Sequence, residues 1–270
     1  MTTIRNVLSI AGSDPSGGAG IQADLKTFAA RGTYGMAALT ALTAQNTQGV
    51  TGIHTVPPEF VADQIAAIFD DITVHAVKIG MIANADIARA VASALRPHRG
   101  IPVVLDPVMV AKGGARLLPD DAVAALRDDL LPLATHLTPN IPEAAVLLDA
   151  PEATDRDMMQ LQAAALAALG PPAVLLKGGH LAGDDSPDVL VIEDAAHWFT
   201  APRTDTANTH GTGCTLSAAL AAELAKGLHD TDAVAAAKTY VAGAVAQAHR
   251  LSVGHGHGPT HHFHALWSQQ

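Results

Sequence analysis

A three-layer α/β/α architecture, with a mainly parallel central sheet flanked by helices, is the fold class that this 270-residue sequence predicts. Two observations carry it. Short β-type runs alternate with longer helical patterns through most of the chain, the order of crossover-connected parallel strands. The glycine-rich and polar clusters follow directly on the β-type runs, where open α/β sheets collect their ligands. The composition, 49% hydrophobic and 16% charged, suits a globular chain with a sizeable core. No linker, low-complexity tract or repeat divides it, so one domain over residues 1–270 is expected.

Strands are expected near 6–11, 36–44, 75–79, 102–106, 136–137 and 173–177, apolar runs bounded by glycine or polar residues. A hairpin follows at 188–192 and 196–200, with Glu193-Asp194 at its turn. Helices are expected over 20–30, 58–69, 85–95, 120–131, 141–148, 156–168, 212–226 and 231–249. The first and last are Ala-rich, which favours helix at any register. The loop at 110–119 carries Lys112-Gly113-Gly114-Ala115-Arg116, a flexible, cationic segment that reads either as a flap over anionic ligands or as a solvated loop.

A net charge of −10 and the lack of a basic run disfavour general nucleic-acid binding. No apolar run is long enough to span a bilayer. The sequence passes from Met1 to Val7-Leu8-Ser9-Ile10 without a basic leader, and a cytoplasmic location is expected. A single cysteine, Cys214, excludes an internal disulfide.

That cysteine lies in the most informative stretch, Asn208-Thr209-His210-Gly211-Thr212-Gly213-Cys214-Thr215-Leu216. Two glycines around a threonine let the backbone approach a ligand, and the first turn of the following helix offers N–H groups without intrahelical partners. Phosphate is the expected guest. The helix dipole is expected to lower the thiol pKa, favouring a thiolate. The competing reading is a simple turn with a buried, inert cysteine.

The loop from Gly12 to Gly20 matches neither a dinucleotide fingerprint nor a Walker loop, and is assigned to a small substrate. Asp24 follows in the first helical turn, where it also complements the dipole. Gln45, Met81 and Val108 stand just past strand ends and suggest an apolar pocket with one amide to read a flat nitrogen ring. Asn140 and Glu143 read as a helix cap, or with Asp106 as oxygen ligands for Mg²⁺ beside a triphosphate. Lys177, delivered by an apolar strand into Gly178-Gly179-His180, is suited to neutralising phosphoryl oxygens.

Five blocks in order, running from Ile10 to Thr27, then Lys78-Ile79-Gly80-Met81, Thr138 to Ala144, Leu176 to His180 and Asn208 to Thr215, resemble the ribokinase-like superfamily. Within it, they are similar to the bacterial hydroxymethylpyrimidine/phosphomethylpyrimidine kinases of thiamin biosynthesis, over almost the whole chain. The resemblance implies ATP- and Mg²⁺-dependent phosphorylation of 4-amino-5-hydroxymethyl-2-methylpyrimidine and then of its monophosphate. It implies a pyrimidine site of Gly12, Asp24, Gln45, Met81 and Val108. An anion hole would span Gly211, Thr212, Gly213 and Cys214, with Cys214 as catalytic base. Asn140, Lys177 and Thr209 would contact ATP, and Glu143 and Asp106 would hold Mg²⁺, partly through water. A homodimer is implied as well. The nearest enzymatic alternative is a pyridoxal kinase. The His-rich segment from Gly254 to His264 falls within the resemblance without implying a metal.

Overall fold

The structure, a computed structural model, describes residues 3–110 and 118–267. The centre of the expected flap, 111–117, lies outside the described residues. The strands are β1 (Asn6–Ser13), β2 (Tyr34–Asn46), β3 (Gly49–Thr55), β4 (Ala76–Ile79), β5 (Val103–Leu105), β6 (His136–Leu137), β7 (Ala173–Lys177), β8 (Asp185–Ile192) and β9 (Ala195–Pro202). They form one sheet in the order β3-β2-β1-β4-β5-β6-β7-β8-β9. From β2 through β7 all neighbours are parallel, while β3, β8 and β9 add antiparallel margins.

The helices are α1 (Gly20–Ala30), α2 (Pro58–Asp71), α3 (Ala85–Leu95), α4 (Asp120–Ala125), α5 (Ile141–Leu148), α6 (Arg156–Ala167), α7 (Thr212–Ala225) and α8 (Asp230–Ala246). Alternation along the strands assigns them to two layers. Val7, Val104 and Leu175 face α1, α7 and α8 through Phe28, Leu220 and Val234. Leu8, Ile10, Leu105 and Leu176 face the other side, with Ile65, Val91, Leu126 and Leu166 of the α2–α6 layer. Because successive strand residues point to opposite faces, a central strand buried on both is mostly apolar, and a polar residue in it, such as Ser9 of β1, needs an internal partner, here Asp24. That is why β1, β5 and β7 read as mostly apolar runs.

Two expectations need correction. Residues 49–55 carried no periodic strand signal, because Thr51, Gly52, Ile53, His54 and Thr55 are all exposed and show no alternation. They become β3 by pairing with the overhanging end of β2, from Ala41↔Thr55 to Asn46↔Gly49. The helix expected over 120–131 is regular only to Ala125, then widens over Leu126–Leu130 and tightens over Leu131–Leu133. Pro132 has no N–H to continue an α-helical ladder. The hairpin turn falls where expected, with both Glu193 (φ 49°) and Asp194 (φ 61°) left-handed, the geometry that matches strand twist in a two-residue loop.

The site is positioned by the point where the crossovers diverge. From β1 the chain goes to β2 through α1 on one face, while α2 and α3 serve β4 and β5 on the other. This leaves a crevice beyond the carboxyl ends of β1, β4 and β5.

Candidate active site

A cavity of about 980 Å³ occupies that crevice. Gly12, Gln45, Met81, Val108, Asp106, Asn140, Glu143, Lys177 and Thr209 line it, as do Gly211, Thr212, Gly213 and Cys214. The sequence-predicted residues are therefore brought to one place, with a single exception. Asp24 is fully buried behind the cavity wall, where its Oδ2 accepts from Ser9 Oγ at 2.6 Å and from Lys78 Nζ at 2.9 Å. It stands one layer too deep to read a ring. Lys78 lines the cavity in its place and is itself buried.

Backbone geometry explains the glycines. Gly211 caps α7 in the left-handed region (φ 75°), and a Cβ there would lie 1.8 Å from the Gly18 carbonyl oxygen. Neither the conformation nor the space admits another residue. A Cβ on Gly213 would approach Lys177 Nζ at 3.3 Å and Asp106 Oδ2 at 3.8 Å, so the α7 N-terminus lies directly against that charged pair. A Cβ on Gly12 would meet Met81 Cε at 2.4 Å, which places the thioether over bare backbone. The first turn of α7 contains no acidic residue, leaving its positive dipole end to an anion, although the Thr212 N–H already donates to Thr209 O at 3.3 Å.

Lys177 Nζ donates to Asp106 Oδ1 at 2.8 Å and stands 4.0 Å from Glu143 Oε2. Glu143 is also half of a full capping box: its N–H donates to Asn140 Oδ1, and Asn140 N–H donates to Glu143 Oε2, both at 2.8 Å. Capping and ligand reading are thus compatible. Burial pushes the Glu143 carboxyl up to about 7, with Asp106 adding to the rise and Lys177 opposing it. Two facing carboxylates on rigid strand and helix ends fit Mg²⁺, which takes oxygen ligands and keeps water. Among the described residues no cluster of three or more His, Cys, Asp or Glu side chains would enclose a metal by itself.

The thiol departs from expectation. Burial pushes Cys214 up to about 11, and nearby Asp106 and Asp24 add to this. Lys78 and a hydrogen bond from the Gly20 backbone N–H act the other way without prevailing. The helix dipole, worth up to about 2 kcal/mol, is outweighed by desolvation next to two carboxylates. Cys214 rests as a thiol.

Residues that sequence reasoning missed complete the wall. His210 Nε2 stands 2.8 Å from Asp14 Oδ2. The Asp14 carboxylate also accepts from Ser16 N, Ser16 Oγ, Gly18 N and Ala19 N at 2.7–3.2 Å, folding the β1–α1 loop around itself. Although burial works against the charge, these bonds and His210 hold Asp14 below its usual pKa. Asp14-Pro15-Ser16 is a recognisable Asx-turn sequence, but its link to residue 210 has no local signal. Gln45 lies 3.4 Å from His210 Nε2 and 3.1 Å from Thr43 Oγ1. Gln45 Oε1 faces the Thr43 hydroxyl, which also donates to Ser13 O at 2.9 Å, and the Gln45 amide nitrogen faces His210 Nε2. Farther along the cavity, Lys238 Nζ donates to Asp188 Oδ2 at 2.6 Å, and Asp188 Oδ1 accepts from Gly178 N at 3.0 Å, fixing the glycine corner after β7.

The sequence profile of the phosphomethylpyrimidine kinases matches residues 14–261. The hydroxymethylpyrimidine/phosphomethylpyrimidine kinase of Escherichia coli K12 is 54% identical over 262 residues, which cover 97% of this chain and 98% of that protein. Among solved structures, the phosphomethylpyrimidine kinase of Clostridium difficile 630 superposes with a TM-score of 0.78 at 42% identity, covering 88% of this chain and 97% of that one. The ADP complex of Bacillus subtilis pyridoxal kinase gives 0.88 at 38% identity, covering 96% and 98%. The three-layer fold, the cavity at its switch point and near-full-length similarity agree, and the chain belongs to the phosphomethylpyrimidine kinase family.

Proposed function

We propose that this protein transfers a phosphoryl group from ATP to the hydroxymethyl oxygen of 4-amino-5-hydroxymethyl-2-methylpyrimidine, and a second one to the resulting monophosphate. The observation that carries this reading is the placement of the glycine turn 211–213 against the Lys177–Asp106 pair, inside the cavity that Gly12, Gln45, Met81 and Val108 also line. Phosphoryl transfer is mainly a matter of alignment and charge stabilisation, and these parts supply both. The α7 N–H groups and Lys177 face the oxygens of the transferring group. The Gln45 amide reads the polar edge of the pyrimidine, and Met81 and Val108 flank the ring.

In the first step Cys214 accepts the hydroxymethyl proton as the thiolate, formed by prior loss of the thiol proton to solvent; in the second the acceptor is already an ionised phosphate and needs no base. Asn140, Lys177 and Thr209 are the ATP contacts in this reading. Asp106 and Glu143 would hold Mg²⁺ through water, and the ion would supply neutralisation of phosphate charge. Phosphorus NMR on a mixture of protein, ATP, Mg²⁺ and the pyrimidine tests the assignment. Successive monoester and diphosphate resonances are expected, and ATP left intact would refute it.

Pyridoxal phosphorylation is the second reading, favoured by the 0.88 TM-score to a pyridoxal kinase. Parallel kcat/KM measurements on both rings decide between them, with the pyrimidine expected to win. No helix among the described residues is long and apolar enough to cross a membrane. We read the chain as one kinase domain acting in the cytoplasm as a homodimer, for which light scattering should return twice the 27.6 kDa chain mass.

A further inference from the structure

Two loops hold the two reactants in the reading above, and one side chain joins them. The β1–α1 loop, residues 14–19, begins beside Gly12 at the acceptor wall. The turn before α7, residues 209–213, forms the anion cradle. Within the first loop, Asp14 gathers Ser16, Gly18 and Ala19 onto its carboxylate. From the second, His210 contributes Nε2 to the same Asp14 Oδ2 that binds Gly18 and Ala19. Both side chains are buried, Asp14 at 2% exposure and His210 at 6%.

The packing around this bond is equally close. A Cβ on Gly18 would fall 2.2 Å from His210 Cδ2, so the imidazole edge rests on bare Gly18 backbone. Gly211, the next residue, has the Gly18 carbonyl in the place of its missing side chain. His210 is also tied from behind: its N–H donates to Gly258 O at 3.0 Å, and Thr260 N–H donates to its carbonyl at 3.4 Å. The C-terminal segment therefore fixes His210 at one end while Asp14 holds the other.

We propose that His210 is a positioning residue whose hydrogen bond to Asp14 latches the acceptor loop to the anion cradle and so sets the distance between acceptor oxygen and transferring phosphorus. This rests on the kinase reading for its catalytic consequence, whereas the latch itself is a property of the ligand-free chain. A displacement of about 1 Å between aligned reactants costs on the order of 10²-fold in rate. The ring contacts at Gly12, Met81 and Val108 do not pass through the latch, whereas Gln45 lies 3.4 Å from His210 Nε2. Loss of the latch should fall more on kcat than on the pyrimidine KM.

Two substitutions separate positioning from other roles. His210→Phe keeps a ring against Gly18 but has no donor, while His210→Gln places an amide N–H near the position of Nε2 and can restore the bond. In single-turnover and steady-state assays His210→Phe should lower kcat for both phosphorylations by about 10- to 100-fold, a larger effect than on the pyrimidine KM, and His210→Gln should recover most of the loss in kcat. Gly18→Ala, which wedges the imidazole away from the other side, should reproduce the Phe result. Hydrogen exchange on the ligand-free protein reads the latch without turnover, and Gly18 and Ala19 amides should exchange at least about tenfold faster in His210→Phe than in His210→Gln. Unchanged exchange in His210→Phe overturns the latch even if the wild-type protein proves inactive on the pyrimidine. With an active wild type, a kcat for His210→Phe within twofold of it overturns the catalytic role. So does a His210→Gln enzyme as slow as His210→Phe, because the imidazole itself would then be required.

Discussion

Cys214 offers the sharpest test of how the first phosphorylation proceeds. With its thiol pushed up to about 11, only roughly one molecule in a thousand carries the thiolate at pH 8, and forming it costs about 4 kcal/mol. Only that thiolate fraction can take up the hydroxymethyl proton, so the thiol must first release its own proton to solvent before the P–O bond forms. General-base assistance contributes about 10²- to 10⁴-fold, and a base populated this thinly belongs at the low end. Cys214→Ala should therefore slow the hydroxymethyl step by about 10²-fold while leaving the monophosphate step within about threefold of wild type. Rapid-quench single turnovers with each acceptor measure the two steps separately. In the ligand-free protein, alkylation by iodoacetamide should rise close to tenfold per pH unit up to at least about pH 10. Equal losses in both phosphoryl transfers would refute the base assignment, and an alkylation plateau below about pH 9 would refute the charge balance around the thiol.

Three further outcomes are expected. Lys78→Met leaves the buried Asp24 carboxylate, whose Oδ1 already lacks a partner, without its counter-charge, and should cost about 3–5 kcal/mol in urea unfolding; adding Asp24→Leu should restore much of that, and a double variant no better than the single would oppose the account. The raised Glu143 carboxyl, about 7 against an ordinary 4.5, binds its proton more tightly folded than unfolded, so its contribution to stability falls as pH rises from about 4.5 to 7. Melting curves should show Glu143→Gln, which can keep the capping bond, flattening the wild-type decline across that window. Gly211→Ala forces a side chain into the left-handed region and onto the Gly18 carbonyl, and should reduce turnover by at least about 10²-fold, while Gly227→Ala, strained by its own φ of 90° but with open space at its Cβ position, retains activity.

Legibility in the sequence followed locality. The strands β1, β5 and β7 announced themselves because burial on both faces favours apolar residues, and Asn140 with Glu143 announced a cap because its two bonds span three residues. The strand ends supplied most of the candidate site for the same reason, since Gly12, Met81, Lys177 and Gly211 each follow a local pattern. What escaped were relations between distant segments. Asp24 looked like a helix-start carboxylate, and only the burial of Lys78, 54 residues away, shows that it neutralises a core cation. The thiol of Cys214 was placed correctly at a helix start, but its pKa depends on Asp106, Asp24 and desolvation, none of which is sequence-adjacent. β3 was missed although Val50, Thr51, Ile53 and Thr55 are β-branched, because its exposed residues show no burial alternation and its pairing depends on the overhanging β2.

The single cation shared by Asp106 and Glu143 has an energetic corollary for ligand entry. With Lys177 already engaged, a bare polyphosphate arriving at the cradle would confront carboxylate charge on Asp106 and Glu143 that Lys177 only partly offsets. A lone divalent ion would instead meet a lysine that already satisfies its prospective ligands. Each partner removes the obstacle to the other, so metal and nucleotide should associate with mutual enhancement, and by linkage the factor must be equal whichever is added first. Calorimetric titrations of nucleotide with and without Mg²⁺, compared between wild type and Asp106→Asn, would read that cooperativity directly.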